Sequence, residues 1–169
     1  MSRYIWSKLN KQQVGTFVEY YVKMEFAMFG FQIYTSEVDD RGLDFIARYE
    51  NSDFLSIQVK SLRTSSSYIY MTKNNFKMSP NQYLVLGLLV DKEMPDLYLI
   101  PASAWLEPNS LFKSYDYEGD GYKSKPEWGL NISPKNINLL EPYRFDSCIQ
   151  NLVNTYELSI ASKDSDSCV

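Results

Sequence analysis

The chain has 169 residues, of which 44% are hydrophobic and 15% aromatic, so it is long enough to bury one sizeable core. It contains no histidine, which excludes Ser-His-Asp and Cys-His nucleophilic sites and the usual histidine-containing zinc sites. Two cysteines, Cys148 and Cys168, suggest neither a disulfide framework nor a cysteine metal site. No run approaches the roughly 18 apolar residues needed to cross a bilayer, so we expect a cytoplasmic protein without a membrane partner.

Basic residues are concentrated in two stretches of an acidic chain. The net charge of -4 argues, taken alone, against a nucleic-acid partner. Residues 1–18 and 54–90 nevertheless contain no acid and seven basic residues, namely Arg3, Lys8, Lys11, Lys60, Arg63, Lys73 and Lys77. Unless this is a chance distribution, the segregation indicates two basic patches that face a polyanion.

The first predicted element is a helix over residues 10–29. Val14, Phe17, Val18, Tyr21, Met28 and Phe29 recur at helical spacing, and Gly30 supplies a stop. Four segments rich in aromatic and branched residues follow, at 31–35, 43–49, 54–62 and 68–72. Short polar segments separate them, which predicts a strand meander after the first helix.

The second half is predicted to complete one layered domain. Residues 83–90 are apolar on both faces, as in a strand buried in the middle of a sheet, and residues 97–100 are expected to pair beside it. A short helix is predicted at 101–106, an exposed loop at 113–127 and a closing helix at 144–158. The polar segment 159–169 is predicted to be a disordered tail. Residues 1–158 then form a single domain of an α/β or α+β layered fold.

Alternation in two of these strands brings polar side chains to one face. Ser56, Gln58 and Lys60 share one face of the strand at 54–62, opposite three apolar residues. Asp44 is an isolated acid at the apolar start of the preceding strand. In an antiparallel pair of strands, the residue numbers of every directly opposed pair have the same sum. If that sum is even, Asp44 lies opposite or diagonal to Gln58 and Lys60. A two-residue turn at residues 51 and 52 would spoil this alignment.

The converging groups suit metal-assisted chemistry. Carboxylate and amide oxygens hold Mg²⁺, while a lysine orients water and offsets charge that develops on a phosphate. Hydrolysis of a phosphodiester is the reaction that this set favours. In the alternative interpretation, Asp44 and Lys60 form a solvent-facing ion pair worth at most about 1 kcal/mol, and Gln58 has no role.

These motifs resemble those of a known superfamily. Residues 42–47 read Gly-Leu-Asp-Phe-Ile-Ala and residues 57–61 read Ile-Gln-Val-Lys-Ser, which is similar to the D…(E/Q)xK signature of PD-(D/E)XK nucleases. Glu19 precedes Gly30 and Phe31 by about three helical turns, as a helix glutamate does in archaeal Holliday-junction resolvases. The motifs cover residues 12–62 and a looser match reaches about residue 100. The resemblance implies a restriction-endonuclease-like α/β fold, with an N-terminal helix, a strand meander and a central mixed β-sheet flanked by helices.

The resemblance also implies roles for individual residues. Mg²⁺ or Mn²⁺ would be bound by the side chains of Asp44 and Gln58 and by the carbonyl of Val59, Lys60 would position the attacking water, and Glu19 would assist. Many members have glutamate at the position of Gln58, and a neutral ligand is expected to weaken metal binding.

Two acids on the first helix compete for the assisting role. Glu19 falls at the edge of the predicted apolar stripe, whereas Glu25 falls near its middle. The spacing to Gly30 favours Glu19. The two roles could be exchanged, and Glu25 could instead pair with a basic side chain in the core.

Further residues are candidates for contact with nucleic acid, namely Arg41, Ser61, Arg63, Tyr68 and Lys73. Each also has an ordinary structural interpretation, such as a half-buried tyrosine on a sheet or a surface arginine. The expected partner is nucleic acid, with DNA as the substrate of a homodimeric endonuclease. A catalytically inactive nucleic-acid-binding module and a protein-interaction domain on the same fold are the alternatives.

Overall fold

The computed structural model describes residues 3–35, 42–117 and 124–166, with side chains through Ser162. In chain order the helices and strands are α1 (Lys11–Met28), β1 (Phe31–Tyr34), β2 (Phe45–Tyr49), β3 (Leu55–Arg63), β4 (Tyr68–Thr72), β5 (Gln82–Leu89), β6 (Asp96–Pro101), β7 (Phe112–Tyr115), β8 (Glu127–Asn131) and α2 (Phe145–Asp166). Short 3-10 helices lie at Trp6–Lys8, Ala102–Leu106 and Ile137–Tyr143. None of the described helices is long and apolar enough to cross a membrane.

A five-stranded mixed sheet forms the centre of the fold, in the order β1-β2-β3-β5-β6. The first three strands are antiparallel neighbours, β5 runs parallel to β3, and β6 is antiparallel to β5. The predicted meander is therefore confirmed for three strands. The apolar run at 83–90 is the buried inner strand that its sequence predicts, with residues 97–100 beside it.

The prediction that residues 68–72 continue the meander is wrong. The free edge of β3 is occupied by β5, and β4 instead pairs with β8 in a second sheet of order β4-β8-β7. The predicted loop at 113–127 is also partly wrong, because β7 extends to Tyr115 and β8 begins at Glu127. Residues 118–123 of that loop lie outside the described residues. The polar, glycine-containing sequence between β7 and β8 hides the two strands that flank it.

Two cores cover the two faces of the central sheet. One contains the inner faces of α1 and α2 and includes Val85 and Leu89 of β5. The other contains Leu84 and Leu86 of the same strand and lies under the small sheet. A Cβ atom at Gly87 of β5 would approach Val18 Cγ1 to 2.8 Å, so the absence of a side chain there allows α1 to pack closely on the sheet.

Helix α1 begins where the sequence predicts. Asn10 and Gln13 form a reciprocal capping box, with hydrogen bonds of 2.9 and 3.0 Å between side chain and main chain. The buried positions are Val14, Val18, Val22 and Phe26. The predicted stripe is wrong at Met28, which is 82% exposed. The buried positions are spaced four residues apart, which is more than one helical turn, so the buried side rotates around the helix and no longer includes Met28 at its end.

Helix α2 continues past Leu158 to Asp166, through much of the segment predicted to be a tail. The Ser159 and Ser162 hydroxyls donate hydrogen bonds of 2.7 and 2.9 Å to carbonyls of the preceding turn. A polar composition does not prevent a helix from extending beyond the last residue that packs on the core. The division of the chain at residue 158 stays a prediction.

Candidate functional site

The pairing of β2 with β3 has the register that the predicted site requires. Phe45 pairs with Ile57, so the next position along each strand puts Asp44 opposite Gln58. Residues 50–54 connect the two strands, and the first turn closes with a hydrogen bond of 2.9 Å from Ser52 N–H to the Tyr49 carbonyl. This connection is longer than the two-residue turn that would have turned Asp44 to the other face.

Asp44 is held against β3 by its main chain and its side chain. Its N–H donates to the Ile57 carbonyl at 3.1 Å, and its Oδ2 accepts a hydrogen bond of 2.6 Å from Val59 N–H. Lys60 forms no hydrogen bond or ion pair with any residue that the structure describes. The alternative of a cross-strand ion pair between Asp44 and Lys60 is therefore not observed.

Gln58 is a buried amide with an unsatisfied oxygen. The residue is 5% exposed, and its Oε1 is the one buried side-chain nitrogen or oxygen in the described part of the chain that has no hydrogen-bond partner. Gly42 lies against the same amide with a φ of +67°, and a Cβ there would be 3.3 Å from both Gln58 Nε2 and Asn75 Nδ2. Buried polar atoms without a partner are rare and call for an explanation such as an ion.

A groove of about 630 Å³ runs between the start of α1, β3 and β4, and both Gln58 and Lys60 line it. Among the described residues, its lining includes the basic side chains of Lys11, Lys60 and Arg63 and no acidic side chain. The groove is thus a locally basic surface on a chain whose net charge is -4. It brings together residues from both basic stretches of the sequence.

Neither of the two acids considered on α1 lines the groove. Glu19 forms an ion pair with Lys23 at 2.6 Å and is not among the groove residues. Glu25 lines a separate cavity with Tyr21 that shares no residue with the groove. Burial, followed by the charge of Glu25 and a hydrogen bond to it, raises the pKa of Tyr21 to about 12. An exchange of roles between Glu19 and Glu25 is therefore not favoured by this geometry.

The other candidate residues differ in what they contact. Ser61 and Tyr68 line the groove. Arg63 lines it too, while its Nη2 donates to the Leu9 carbonyl at 2.6 Å and so ties β3 to the segment before α1. Lys73 lies outside the lining, with its ammonium 2.6 Å from Asp116 and 4.0 Å from the centre of the Trp128 ring. Arg41 lies outside the described residues.

The oxygen atoms around Asp44 and Gln58 are of the kinds that bind a hard divalent cation. Asp44 offers a carboxylate and Gln58 an amide oxygen, and both are ligand types that Mg²⁺ and Mn²⁺ accept. The N–H and C=O of one strand residue point toward the same neighbour, so the Val59 carbonyl lies on the side of Asp44. Across residues 3–35, 42–117 and 124–162, no three His, Cys, Asp or Glu side chains cluster as a metal site. The fit therefore depends on neutral oxygens beside a single carboxylate.

Sequence reasoning missed some residues of the groove. In the sequence Lys11 stands out only as part of a basic stretch, and Asn75 carries no periodic or motif signal at all. The role of Gly42 could have been detected, because a glycine just before a strand is typical of a positive φ or a close approach. Its contacts with Gln58 and Asn75 depend on the folded chain.

Comparison with known proteins adds evidence about the fold. No family model matches the sequence, and no curated protein matches it significantly. Among solved structures, the chain is similar to Hjc, a Holliday junction resolvase from the archaeal hyperthermophile Archaeoglobus fulgidus, with a TM-score of 0.51. The chain has the fold of Hjc. The match covers 80% of this chain and 95% of Hjc at 11% sequence identity, and it confirms the predicted restriction-endonuclease-like α/β fold.

Proposed function

We propose that this protein is a metal-dependent nuclease that hydrolyses phosphodiester bonds in DNA. The observation that carries the proposal is the buried Oε1 of Gln58, which has no hydrogen-bond partner among the described residues and lies on the strand position opposite Asp44. Lys60, which has no partner among the described residues, lies two residues further along the same strand face. The similarity to Hjc, whose substrate is a Holliday junction, supports DNA as the substrate class.

Asp44 and Gln58 would hold the cation together with the Val59 carbonyl. Their three oxygens come from a carboxylate, an amide and the main chain, which suits Mg²⁺ or Mn²⁺. The hydrogen bond from Val59 N–H fixes Asp44 Oδ2 against β3 and so orients the carboxylate beside Gln58. When bound, the divalent cation supplies positive charge that polarises the scissile phosphate.

Lys60 would orient the attacking water and offset negative charge on the phosphate. Its ammonium is not held by an acid in the described chain, so it is available to a phosphate oxygen. Lys11 and Arg63 in the same groove would attract the flanking phosphates. The groove thus offers a basic path past Gln58, one of the proposed metal ligands.

The test is cleavage of supercoiled plasmid, linear duplex, single-stranded and branched DNA with Mg²⁺ or Mn²⁺, and with EDTA. We expect cleavage of at least one form, with Asp44→Asn and Lys60→Ala lowering its rate about 100-fold or more. Asp53→Asn and Lys77→Ala are matched controls, because both residues are exposed and neither lines the groove. Equal rates for wild type and Lys60→Ala, or no cleavage of any form, would overturn the proposal.

A second candidate function is binding of nucleic acid without catalysis. It is favoured by the neutral Gln58 and by the ion pair that engages Glu19 with Lys23. Among the described residues, Asp44 is then the one carboxylate left for the proposed metal site. Salt-sensitive binding that is independent of metal, with no cleavage, would support this candidate. Failure to bind DNA or RNA at low salt would favour a protein-interaction role on the same fold.

A homodimer is also part of the proposal. Tyr20, Met24 and Met28 recur every four residues on the outer face of α1 and are 63%, 59% and 82% exposed. An apolar stripe of this kind on a surface helix suits a helix-to-helix contact between two copies. Light scattering should give a dimer for the wild type and a monomer for Met24→Glu, and a monomeric wild type would contradict this part of the proposal.

A further inference from the structure

One face of the small sheet is rich in tyrosine. Tyr68 and Tyr70 project from β4, and Tyr115 projects from β7 onto the same face, as the pairing of both strands with β8 requires. Tyr117 follows two residues after Tyr115. The opposite face, with Met71, Phe112 and Leu130, packs into the second core. The tyrosine face, meaning Tyr68, Tyr70, Tyr115 and Tyr117, is therefore directed away from the core.

The tyrosine face is organised around a buried acid. Glu127 of β8 is 7% exposed, and its Oε1 accepts hydrogen bonds from the hydroxyls of Tyr68 at 2.6 Å and Tyr117 at 3.2 Å. The Tyr68 ring crosses the backbone of Gly129, where a Cβ would be 2.7 Å from the ring carbon Cζ. Burial and the bond to Glu127 raise the pKa of Tyr68, so its hydroxyl stays a donor at neutral pH.

Two rings on this face are about half exposed. Tyr70 is 53% exposed and Tyr115 is 41% exposed, and neither hydroxyl has a hydrogen-bond partner among the described residues. Tyr70 stacks on Tyr68 with ring centres 6.4 Å apart, and Tyr115 stacks on Tyr117 at 5.6 Å. Each exposed ring thus rests on a partner that Glu127 holds. Rigid, half-exposed rings are suited to stacking with a ligand.

The tyrosine face continues into the basic groove. Tyr68 and Tyr70 form part of the groove lining, together with Lys11, Lys60 and Arg63. Lys113 lies on the same face of the small sheet, at the position paired with Gly129. Aromatic faces beside a row of cations match a polyanion that carries planar rings. In a duplex the base faces are stacked on one another, so unpaired nucleotides fit this surface.

We propose that the tyrosine face stacks unpaired bases of the substrate while their phosphates follow the adjoining groove, so that the protein prefers nucleic acid with a single-stranded portion. This inference rests on the proposed function, since it names the substrate class of the same site. Tyr70 and Tyr115 are the stacking residues. Tyr68, Tyr117 and Glu127 position them.

The test is fluorescence anisotropy with a labelled single-stranded oligonucleotide and its duplex, measured in EDTA so that binding is separated from cleavage. We expect the single strand to bind at least about tenfold more tightly than the duplex. Tyr70→Ala and Tyr115→Ala should each weaken single-strand binding by about tenfold. Tyr70→Phe should retain it, because the ring remains. Tyr34→Ala is the matched control, since Tyr34 is 44% exposed and lies on β1, outside the groove lining.

The outcomes separate this inference from the proposed function. Equal affinity for single strand and duplex, no binding of either, or unchanged binding by Tyr70→Ala and Tyr115→Ala would overturn the inference. Tight, tyrosine-dependent binding without cleavage in Mg²⁺ or Mn²⁺ would support the inference while the nuclease function fails. Metal-dependent cleavage that neither alanine variant changes would support the nuclease function and count against the inference.

Discussion

The Asp44 carboxylate accepts a hydrogen bond of 2.6 Å from the main-chain N–H of Val59, the residue between Gln58 and Lys60. This contact joins the start of β2 to the middle of β3 at the point where the regular ladder ends with Phe45 and Ile57. It gives Asp44 a structural role alongside the proposed metal-binding role. Substitutions that separate the two roles are therefore informative.

Asp44→Ala should lower the free energy of unfolding by about 1–3 kcal/mol, because it leaves the Val59 N–H without its charged acceptor. Asp44→Asn keeps an oxygen acceptor and should be destabilised less. Urea unfolding at neutral pH measures both, with Asp53→Ala as an exposed control. If Asp44→Ala were as stable as the wild type, the hydrogen bond would have no structural importance.

Gln58→Glu should make stability depend on metal. A carboxylate at a position that is 5% exposed is costly to bury without a cation, so the variant should have a lower Tm than the wild type in EDTA. Mn²⁺ should raise its Tm more than that of the wild type, because the added charge strengthens binding to the folded state. Gln150→Glu, on the exposed side of α2, serves as control. Identical Mn²⁺ shifts for the wild type and Gln58→Glu would contradict a metal site at this position.

Gly87→Ala should destabilise the fold by about 1–3 kcal/mol through overpacking against α1. The added Cβ would lie 2.8 Å from Val18 Cγ1, and Val18 is fully buried. The double variant Gly87→Ala with Val18→Ala should lose less stability than the sum of the two single variants. Gly15→Ala is the matched control, because nothing lies within 4 Å of its Cβ position and alanine favours the helix. Additive losses would show that the two positions do not press on each other.

The protein should lose stability above about pH 10, the ordinary pKa of tyrosine. Burial, followed by the hydrogen bond to Glu127, raises the pKa of Tyr68 in the folded state. Because the pKa is raised, Tyr68 makes its full contribution to the free energy of unfolding below the pKa of the unfolded state. That contribution is lost as the pH rises through the pKa of the folded state. Tyr68→Phe should therefore show a smaller fall in unfolding free energy between pH 9 and pH 11 than the wild type. A fall of equal size in both proteins would argue against the contact with Glu127.

Local patterns account for the parts of the structure that were predicted correctly. The capping residues and the apolar spacing of α1 lie within the helix itself, and strand alternation is a property of adjacent residues. The pairing of β2 with β3 could be predicted on the condition that the turn gives the right register, because only residues 50–54 separate the two strands. The prediction that Asp44 lies opposite Gln58 depended on this short separation along the chain.

Long-range packing accounts for the errors. The placement of β4 follows from its pairing with β8, as in the hydrogen bond between Tyr68 and Glu127, 59 residues apart. Similarly, the cavity that Glu25 lines is completed by residues 95–97 and 144–146, at the starts of β6 and α2. Neither contact is implied by the residues next to it in the chain.

For this protein, the sequence by itself determined the first helix, the alternation of β3 and the candidate set of Asp44, Gln58 and Lys60, because each depends on residues that are close along the chain. Only the tertiary structure decided that β5 fills the edge of β3, that the tyrosine face adjoins the basic groove, and that Gln58 Oε1 is buried with no partner among the described residues. Those features arise from the burial of apolar faces between distant segments, which selects neighbours that local periodicity cannot specify.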